Sequence, residues 1–310
     1  MLGYFIKRIA LIIPTMLAVI LIIFLLMSFL PGTNTRNMIN YTDGTGGKTL
    51  LAQYLNYCKH VFFKLDFGMD RSTHVSISDS LLRRFKGTVK LTGLGFLITV
   101  AIGLPAGIYS ALHAGKWQDS FIGALTTVFS AIPTFCIALG IVLLFVLRLR
   151  WFNVLIREPA DYLMPLGTLS IMGIASVTRI TRSAMLDVMS KEYMTALRSL
   201  GIGRTSLILK HGLKNALVQI TSVLSSLIAQ MMCGAIVIER FFTLPGLGFT
   251  LGSAISSRNT GAVMGIAVCI SLSMCVINLV TDMIYIIVNP DIRSSVSWRS
   301  SVVRKGGVKK

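Results

Sequence analysis

Six long stretches without Asp, Glu, Lys or Arg constrain this chain more than any other sequence feature. They cover residues 9–35, 91–112, 120–147, 162–178, 215–238 and 259–281. A helix needs about 20 mostly apolar residues to cross the hydrocarbon core of a bilayer. The fourth stretch is short but continues as a helix through Arg179 and Arg182. The pattern predicts an all-α polytopic membrane protein with six transmembrane helices.

The composition supports this class and excludes several others. Hydrophobic residues make up 54% of the 310 residues and charged residues only 14%, whereas soluble domains carry about 25% charged residues. The first stretch is too long for a signal peptide and lacks a cleavage site, so it is expected to remain as a spanning helix. The net charge of +18 fits basic loops that face membrane lipid. The sequence contains no basic patch interleaved with stacking aromatic residues, so nucleic-acid binding is not expected.

The stretches divide the chain into four parts. These are the N-terminus with the first helix (1–30), an external segment (31–90), a five-helix core with a cytoplasmic loop at 188–216 (91–288), and a basic cytoplasmic tail (289–310). Lys and Arg in the 179–214 loop and in the tail predict that both termini are cytoplasmic. Arg83, Arg84 and Lys86 lie close to the second helix and oppose this orientation.

The sequence contains no motif that indicates an enzyme or a resident cofactor. No P-loop, HExxH, GxSxG or CxxC pattern is present, so we expect no catalytic residue, no metal site and no bound cofactor. Asp282 in the sixth helix is either a polar contact in a translocation path or a structural partner of a nearby group. Pro133 is expected to bend the third helix, which opens a cavity or is purely structural.

The loop at 188–216 is too polar to span the membrane and too regular to be a simple connection. Ser190 is a candidate N-cap for a helix over 191–200, and Gly201 is expected to end that helix. A second amphipathic helix is predicted over 204–216. The sequence therefore predicts two short helices joined by a glycine turn.

The first of these helices carries an apolar stripe. Tyr193, Leu197 and Leu200 recur at positions i, i+4 and i+7 and therefore share one face. A helix lying on the lipid surface would present such a stripe, and so would a lever that docks in a groove of a cytosolic partner. The residues alone leave both interpretations open.

At this loop the chain resembles the ABC importer permeases, specifically the dipeptide/oligopeptide/nickel group. The resemblance rests on EYMTALRSLG at 192–201 and HGLKNA at 211–216, which look like the family's EAA loop. Four further segments agree: 4–8, 66–68, 244–248 (LPGLG) and 278–293. The larger outer loop after the first helix matches the B-type subunit. Leu197 and Leu200 depart from the small and basic residues common in the family.

The resemblance implies a type I ABC importer permease fold and a set of functional residues. The residues expected to couple to the ATPases are Glu192, Tyr193, Ala196, Leu197, Leu200 and Gly201. Pro133 and Asp282 are candidates for the translocation path. The chain would form half of that path, and ATP would be used by partner subunits.

The implied partners are a second, C-type permease subunit, two cytosolic ATP-binding subunits, an external substrate-binding protein and the lipid of the cell membrane. The resemblance favours di- or oligopeptides as substrates, and nickel or a metal–chelator complex is the alternative. A hypothesis from another class is a stand-alone channel or secondary transporter that uses Asp282. Such a transporter has no need of a projecting, glycine-hinged helix pair, so the loop discriminates between the two classes.

Overall fold

A computed structural model describes residues 2–29, 50–64, 67, 77–153, 159–257 and 259–288. These residues contain no strand, which confirms the all-α class. The α-helices longer than one turn are α1 (Leu2–Phe29), α2 (Leu50–Lys64), α3 (Ile77–Leu112), α4 (Trp117–Ala131), α5 (Thr134–Ile141), α6 (Leu163–Met189), α7 (Glu192–Ser199), α8 (Lys214–Phe241), α9 (Leu247–Ser256) and α10 (Thr260–Val288). The predictions for 31–49, for most of 65–76 and for the tail at 289–310 lie outside the described residues.

Several of these helices are long and apolar enough to cross a membrane. Four helical segments meet that criterion alone: Ile77–Leu112, Ala160–Met189, Leu207–Phe241 and Gly261–Thr281. The pair formed by α4 and the helical segment Thr134–Arg148 meets it together, and the apolar part of α1, Ala10–Leu26, is shorter. Membrane-spanning helices are therefore confirmed, while the number of six stays a prediction.

The third predicted span is broken in two. We expected one bent helix over 120–147, but α4 ends at Ala131, α5 begins at Thr134, and the two segments meet at 103°. Pro133 has no N–H to donate, and its ring disfavours the helical conformation of the residue before it. Ile132 accordingly has φ −86° and ψ 126°, which is extended backbone. Pro105, by contrast, lies inside α3, which continues through it.

Two helix boundaries differ from the predictions. Helix α3 begins at Ile77 rather than at residue 91, because its first part is amphipathic: Ile77 and Leu81 are buried while Arg83 is exposed. A search for stretches without charged residues cannot detect such a helix, because its exposed face is charged. The second loop helix is also not separate, since Arg204–Ser206 and a π-helical stretch, Leu207–Leu213, lead directly into α8.

The chain forms two compact units, and unit 1 comprises Leu91–Ile238 with the residues from Val280 onward. Within it, α3 and α6 approach closely where small residues face larger ones. A Cβ on Gly103 would lie 2.8 Å from Cβ of Val177. The Ser170 hydroxyl donates to the Gly95 carbonyl at 3.1 Å, and the Thr178 hydroxyl donates to the Gly103 carbonyl at 3.3 Å. Small residues and hydroxyl groups are typical of helix contacts in membranes, where close van der Waals packing replaces the hydrophobic effect.

Unit 2 comprises Leu2–Lys90 and Glu239–Leu279. The first part of α10 packs against α1 and α2 in an apolar cluster that includes Met16, Phe24, Val61 and Met264. The Tyr54 hydroxyl on α2 donates to the Leu17 carbonyl at 2.9 Å. Burial raises the pKa of Tyr54 to about 12.

Candidate functional site

Helix α7 follows α6 after a sharp change of direction. Ser190 ends α6, where its hydroxyl donates to the Asp187 carbonyl at 2.8 Å. The prediction that Ser190 caps the next helix is therefore wrong. Lys191, with φ −69° and ψ 146°, precedes α7 and makes no side-chain cap. The reason is that α6 continues about two turns beyond Arg182, to Met189, and takes Ser190 as its own terminal residue.

The end of α7 is a Schellman motif. Gly201 has φ 78°, a left-handed conformation that glycine adopts without steric cost. Its N–H donates to the Arg198 carbonyl at 3.1 Å, and the Ile202 N–H donates to the Leu197 carbonyl at 3.4 Å. These two bonds satisfy carbonyls that a helix end leaves without partners. The predicted ending of the helix at Gly201 is confirmed.

One face of α7 is buried and the opposite face is open. Met194 is 2% exposed, whereas Tyr193 is 42% and Leu200 is 77% exposed. Glu192 and Ala196 are also exposed. Leu197 is half-buried, so the predicted stripe is open at its two ends and partly covered at its centre. The exposed apolar contact area therefore belongs mainly to Tyr193 and Leu200.

Polar contacts hold the start of α7 against the beginning of α8. The Asn215 side-chain amide donates to the Tyr193 hydroxyl at 3.2 Å and to the His211 carbonyl at 2.8 Å. The Lys191 ammonium lies 3.4 Å from the Asp187 carboxylate. The sequence analysis includes Asn215 in the HGLKNA segment without predicting its contact with Tyr193, and it does not single out Asp187, because exposed polar residues are usually solvated.

A buried apolar cluster lies beneath these contacts. The end of α6 supplies Ala184, Met185 and Val188, the stretch leading into α8 supplies Ile208, and the first turn of α8 supplies Ala216. Apolar burial of this kind stabilises the fold by about 25 cal/mol for each Å² of apolar surface that is removed from water. The cluster joins the end of α6, which precedes α7, to the stretch that follows α7.

A buried carboxylate connects the end of α3 to α6. Asp119 is 6% exposed. Its Oδ1 accepts from Arg182 Nε at 2.5 Å and from the Ser110 hydroxyl at 2.5 Å. Its Oδ2 accepts from Arg182 Nη2 at 2.7 Å and from the Gly115 N–H at 3.1 Å. The two-point contact with Arg182 is the geometry that makes arginine–carboxylate pairs strong and directional.

A second buried carboxylate lies in unit 2, in the region of the LPGLG motif. Glu239 is 1% exposed, and its Oε2 accepts from the Gly248 N–H in the first turn of α9 at 2.7 Å. The Leu247 N–H donates instead to the Thr88 hydroxyl oxygen at 3.0 Å. A Cβ on Gly246 would overlap the Glu239 carboxyl group. The motif therefore provides the space and the N–H donors that this carboxylate needs.

The remaining predicted residues are not brought together with α7. Pro133 is exposed at the break between α4 and α5. Asp282 lies within α10, and its side chain is outside the described residues. Within the described ranges, no three His, Cys, Asp or Glu side chains are grouped as metal ligands.

The fold is similar to that of known transporter subunits. A chain of the inward-facing MetNI methionine ABC transporter aligns with a TM-score of 0.58 and 16% identity, covering 68% of this chain and 96% of that one. A chain of an amino acid ABC transporter with histidines aligns with a TM-score of 0.52 and 16% identity, covering 67% and 94%.

The sequence has curated relatives of nearly the same length. The glutathione transport system permease protein GsiC of Shigella flexneri serotype 5b and that of Escherichia coli K12 are each 29% identical over 304 residues, covering 94% of this chain and 99% of the relative. Residues 103–294 match the family described as "Binding-protein-dependent transport system inner membrane component". The chain belongs to this family and is a permease subunit of an ABC importer.

Proposed function

We propose that the chain carries di- or oligopeptides or closely related compounds across the cell membrane as one half of a translocation path. The support for this substrate class is the resemblance to the peptide group together with the similarity to GsiC, whose name refers to glutathione, itself a tripeptide. The second half of the path is a C-type permease subunit, and an external binding protein delivers the substrate. Pro133 and Asp282 contribute to the path.

The proposed orientation has both termini and the 188–216 loop in the cytoplasm. The support is the Lys and Arg of the 179–214 loop and of the tail, since cytoplasmic loops carry an excess of these residues. Arg83, Arg84 and Lys86, on the proposed outer side, oppose it. In this orientation the ends of α3 and α6, the turn before α4, and α7 all lie at the inner face. Segment 31–90 and α9 lie at the outer face.

The observation that carries the proposed mechanism is the open face of α7 on a rigid base. Tyr193 and Leu200 expose apolar surface, while the buried Met194 and the hydrogen bond from Asn215 to Tyr193 attach the helix to the rest of the unit. Such a helix fits a groove on a cytosolic ATP-binding subunit. Glu192 and Ala196 lie on the exposed side of α7, where a partner can contact them. Leu197 lies at the edge of this exposed side. When the two ATPases close on ATP, α7 moves with the groove and α6 moves with α7.

The coupling hypothesis is tested at Leu200 and Gly201. Burying a Leu side chain contributes about 1.5–3 kcal/mol, and a charge in the same contact adds a further penalty. We therefore expect Leu200→Asp to weaken ATPase attachment by about tenfold or more. Gly201→Val places a β-branched side chain at a position with a left-handed backbone conformation. We expect this change to disrupt the turn after α7 and so to weaken attachment as well. ATPase co-purification and uptake of a labelled dipeptide and of glutathione are measured at matched expression.

Thr195→Asp is the matched control. Thr195 is exposed on α7 but lies outside the apolar stripe, so the same charge is added without loss of apolar contact. We expect it to change attachment far less than Leu200→Asp does. Normal attachment and uptake in both Leu200→Asp and Gly201→Val would contradict the coupling role of α7.

A further inference from the structure

A cavity of about 500 Å³ lies beside the last turn of α7, where it is bordered by the exposed Arg198, and it is entirely within unit 1. The ends of α3 and α6 form one wall, and the turn after α7 with the start of the π-helical stretch forms the other. The lining residues are Ala111, Leu112, Met185, Leu186, Met189, Arg198, Ile202, Leu207 and Ile208. Its size falls in the range of about 300–1,000 Å³ that ligand pockets occupy.

The lining is apolar with one exception. Eight of the nine residues are Ala, Leu, Ile or Met, and the ninth is Arg198. Met185 and Met189 border the cavity, and methionine side chains adapt their shape to flexible apolar ligands. The cavity therefore suits a hydrocarbon chain with one anionic end.

The charge of Arg198 is available for that end. Within the part of the chain that the structure describes, no carboxylate lies at ion-pair distance from its guanidinium, whereas nearby Lys191 pairs with Asp187. Arg198 is thus the one charged residue of the lining, and its charge complements an anionic ligand and repels a cationic one.

We propose that this cavity binds one anionic phospholipid of the inner leaflet, with an acyl chain against Met185 and Ile208 and its phosphate at Arg198. The proposal rests on the orientation proposed above, which puts the ends of α3 and α6 at the level of the inner headgroups. Basic pockets between membrane helices on that side are suited to lipid headgroups. A lipid at this position fills the space beneath α7 and stabilises the helix in the position from which it contacts the ATPase.

The test uses the complete transporter, with its ATPases and binding protein, in lipid nanodiscs. Discs of phosphatidylcholine are compared with discs containing phosphatidylglycerol, and the phosphatidylglycerol molecules retained per complex are counted by native mass spectrometry. Arg198→Gln should lower the affinity for the retained lipid about fivefold. Ala111→Phe should abolish retention by filling the cavity, without any change in charge.

Lys210→Gln is the matched control, because it removes the same charge from an exposed residue outside the lining. Retention should be close to that of the unmodified transporter in this variant. Equal retention in Arg198→Gln and Lys210→Gln would overturn the proposal, since it would indicate a diffuse lipid annulus. Retention that disappears when the ATPases bind would also overturn it, because the cavity would then be covered by the partner.

Substrate uptake separates this proposal from the proposed function. If the lipid stabilises α7, uptake in Ala111→Phe should not increase when phosphatidylglycerol is added, whereas uptake in Lys210→Gln should. An unmodified transporter that takes up peptide equally well in both kinds of disc and retains no phosphatidylglycerol would overturn the lipid site alone. Failure of the unmodified transporter to bind ATPases or to take up any peptide would instead contradict the proposed function.

Discussion

Asp119 in unit 1 and Glu239 in unit 2 are both buried carboxylates, but they are stabilised by different partners. Asp119 faces the Arg182 guanidinium at two points and also accepts from Ser110 and Gly115. Glu239 accepts from a backbone N–H at the start of α9, and its Oε1 has no hydrogen-bond partner among the described residues. The first is balanced by a full opposite charge and the second by the partial positive charge of a helix N-terminus.

The difference indicates what each carboxylate holds together. An ion pair joins two helices that are distant in sequence, so Asp119 fixes the turn before α4 to α6, the helix that leads to α7. The Glu239 contact with α9 is local, because it joins the end of α8 to the beginning of the next helix, and the Thr88 side chain of α3 also lies against this carboxylate. Losing one partner of the ion pair leaves a charge without compensation, whereas neutralising Glu239 leaves an acceptor for the same N–H.

The largest effect is expected when the ion pair is broken. Arg182→Gln leaves Asp119 charged and buried with only Ser110 and Gly115 as donors, which should cost about 3–5 kcal/mol of unfolding free energy. Asp119→Asn should cost less, because the Arg182 side chain is 36% exposed and can be hydrated. Unfolding of the purified chain by SDS titration measures both. Equal and small costs would mean that the pair contributes no more than an ordinary surface ion pair.

A smaller effect is expected at Gly246. A Cβ at this position meets the Glu239 carboxyl group, so Gly246→Ala should cost about 1–3 kcal/mol through overpacking. Gly93→Ala is the matched control, since nothing lies within 4 Å of its Cβ position in α3 and alanine favours a helix interior. In a Glu239→Ala background the cost of Gly246→Ala should shrink, because contacting residues are not additive. An unchanged cost would show that the two residues do not interact.

The smallest effect is expected for Glu239→Gln. The amide oxygen still accepts from the Gly248 N–H, and removal of a buried charge offsets the cost of the new amide N–H groups. The unfolding free energy should change by no more than about 1 kcal/mol, measured by the same titration. A cost as large as that of Arg182→Gln would show that the negative charge of Glu239 is required, and would erase the contrast between the two sites.

The sequence predicts the membrane helices well where apolar runs coincide with whole helices. The run at 215–238 falls within α8, and the runs at 162–178 and 259–281 fall within α6 and α10 except at the first residue of each. The sequence predicts less where the geometry depends on packing between distant helices. Pro133 predicts a bend, but the angle of 103° between the two helical segments depends on how α4 and α5 each pack on α6.

Only the part of the candidate site that depends on local sequence could be predicted. Gly201 could be identified because a helix end needs a local left-handed residue, and Tyr193 and Leu200 because exposed apolar side chains stand out in a polar loop. The half-buried position of Leu197 depends on long-range packing of α7, which helical periodicity does not contain. Asp119 and Arg182 are far apart in sequence, and no single-sequence pattern pairs a carboxylate in the first turn of one helix with an arginine in another helix.

The length of α3 has a consequence for the outer face of the protein. Its 36 residues extend over about 54 Å, whereas the hydrocarbon core of a bilayer is about 30 Å thick. Even a tilt of about 40° leaves roughly 10 Å of the helix beyond the core. In the proposed orientation the excess is the segment with Arg83, Arg84 and Lys86, which lies about 8–12 Å along the axis from Leu91. In this orientation, these cations therefore lie in water on the extended end of α3, at about one Debye length from the edge of the hydrocarbon core.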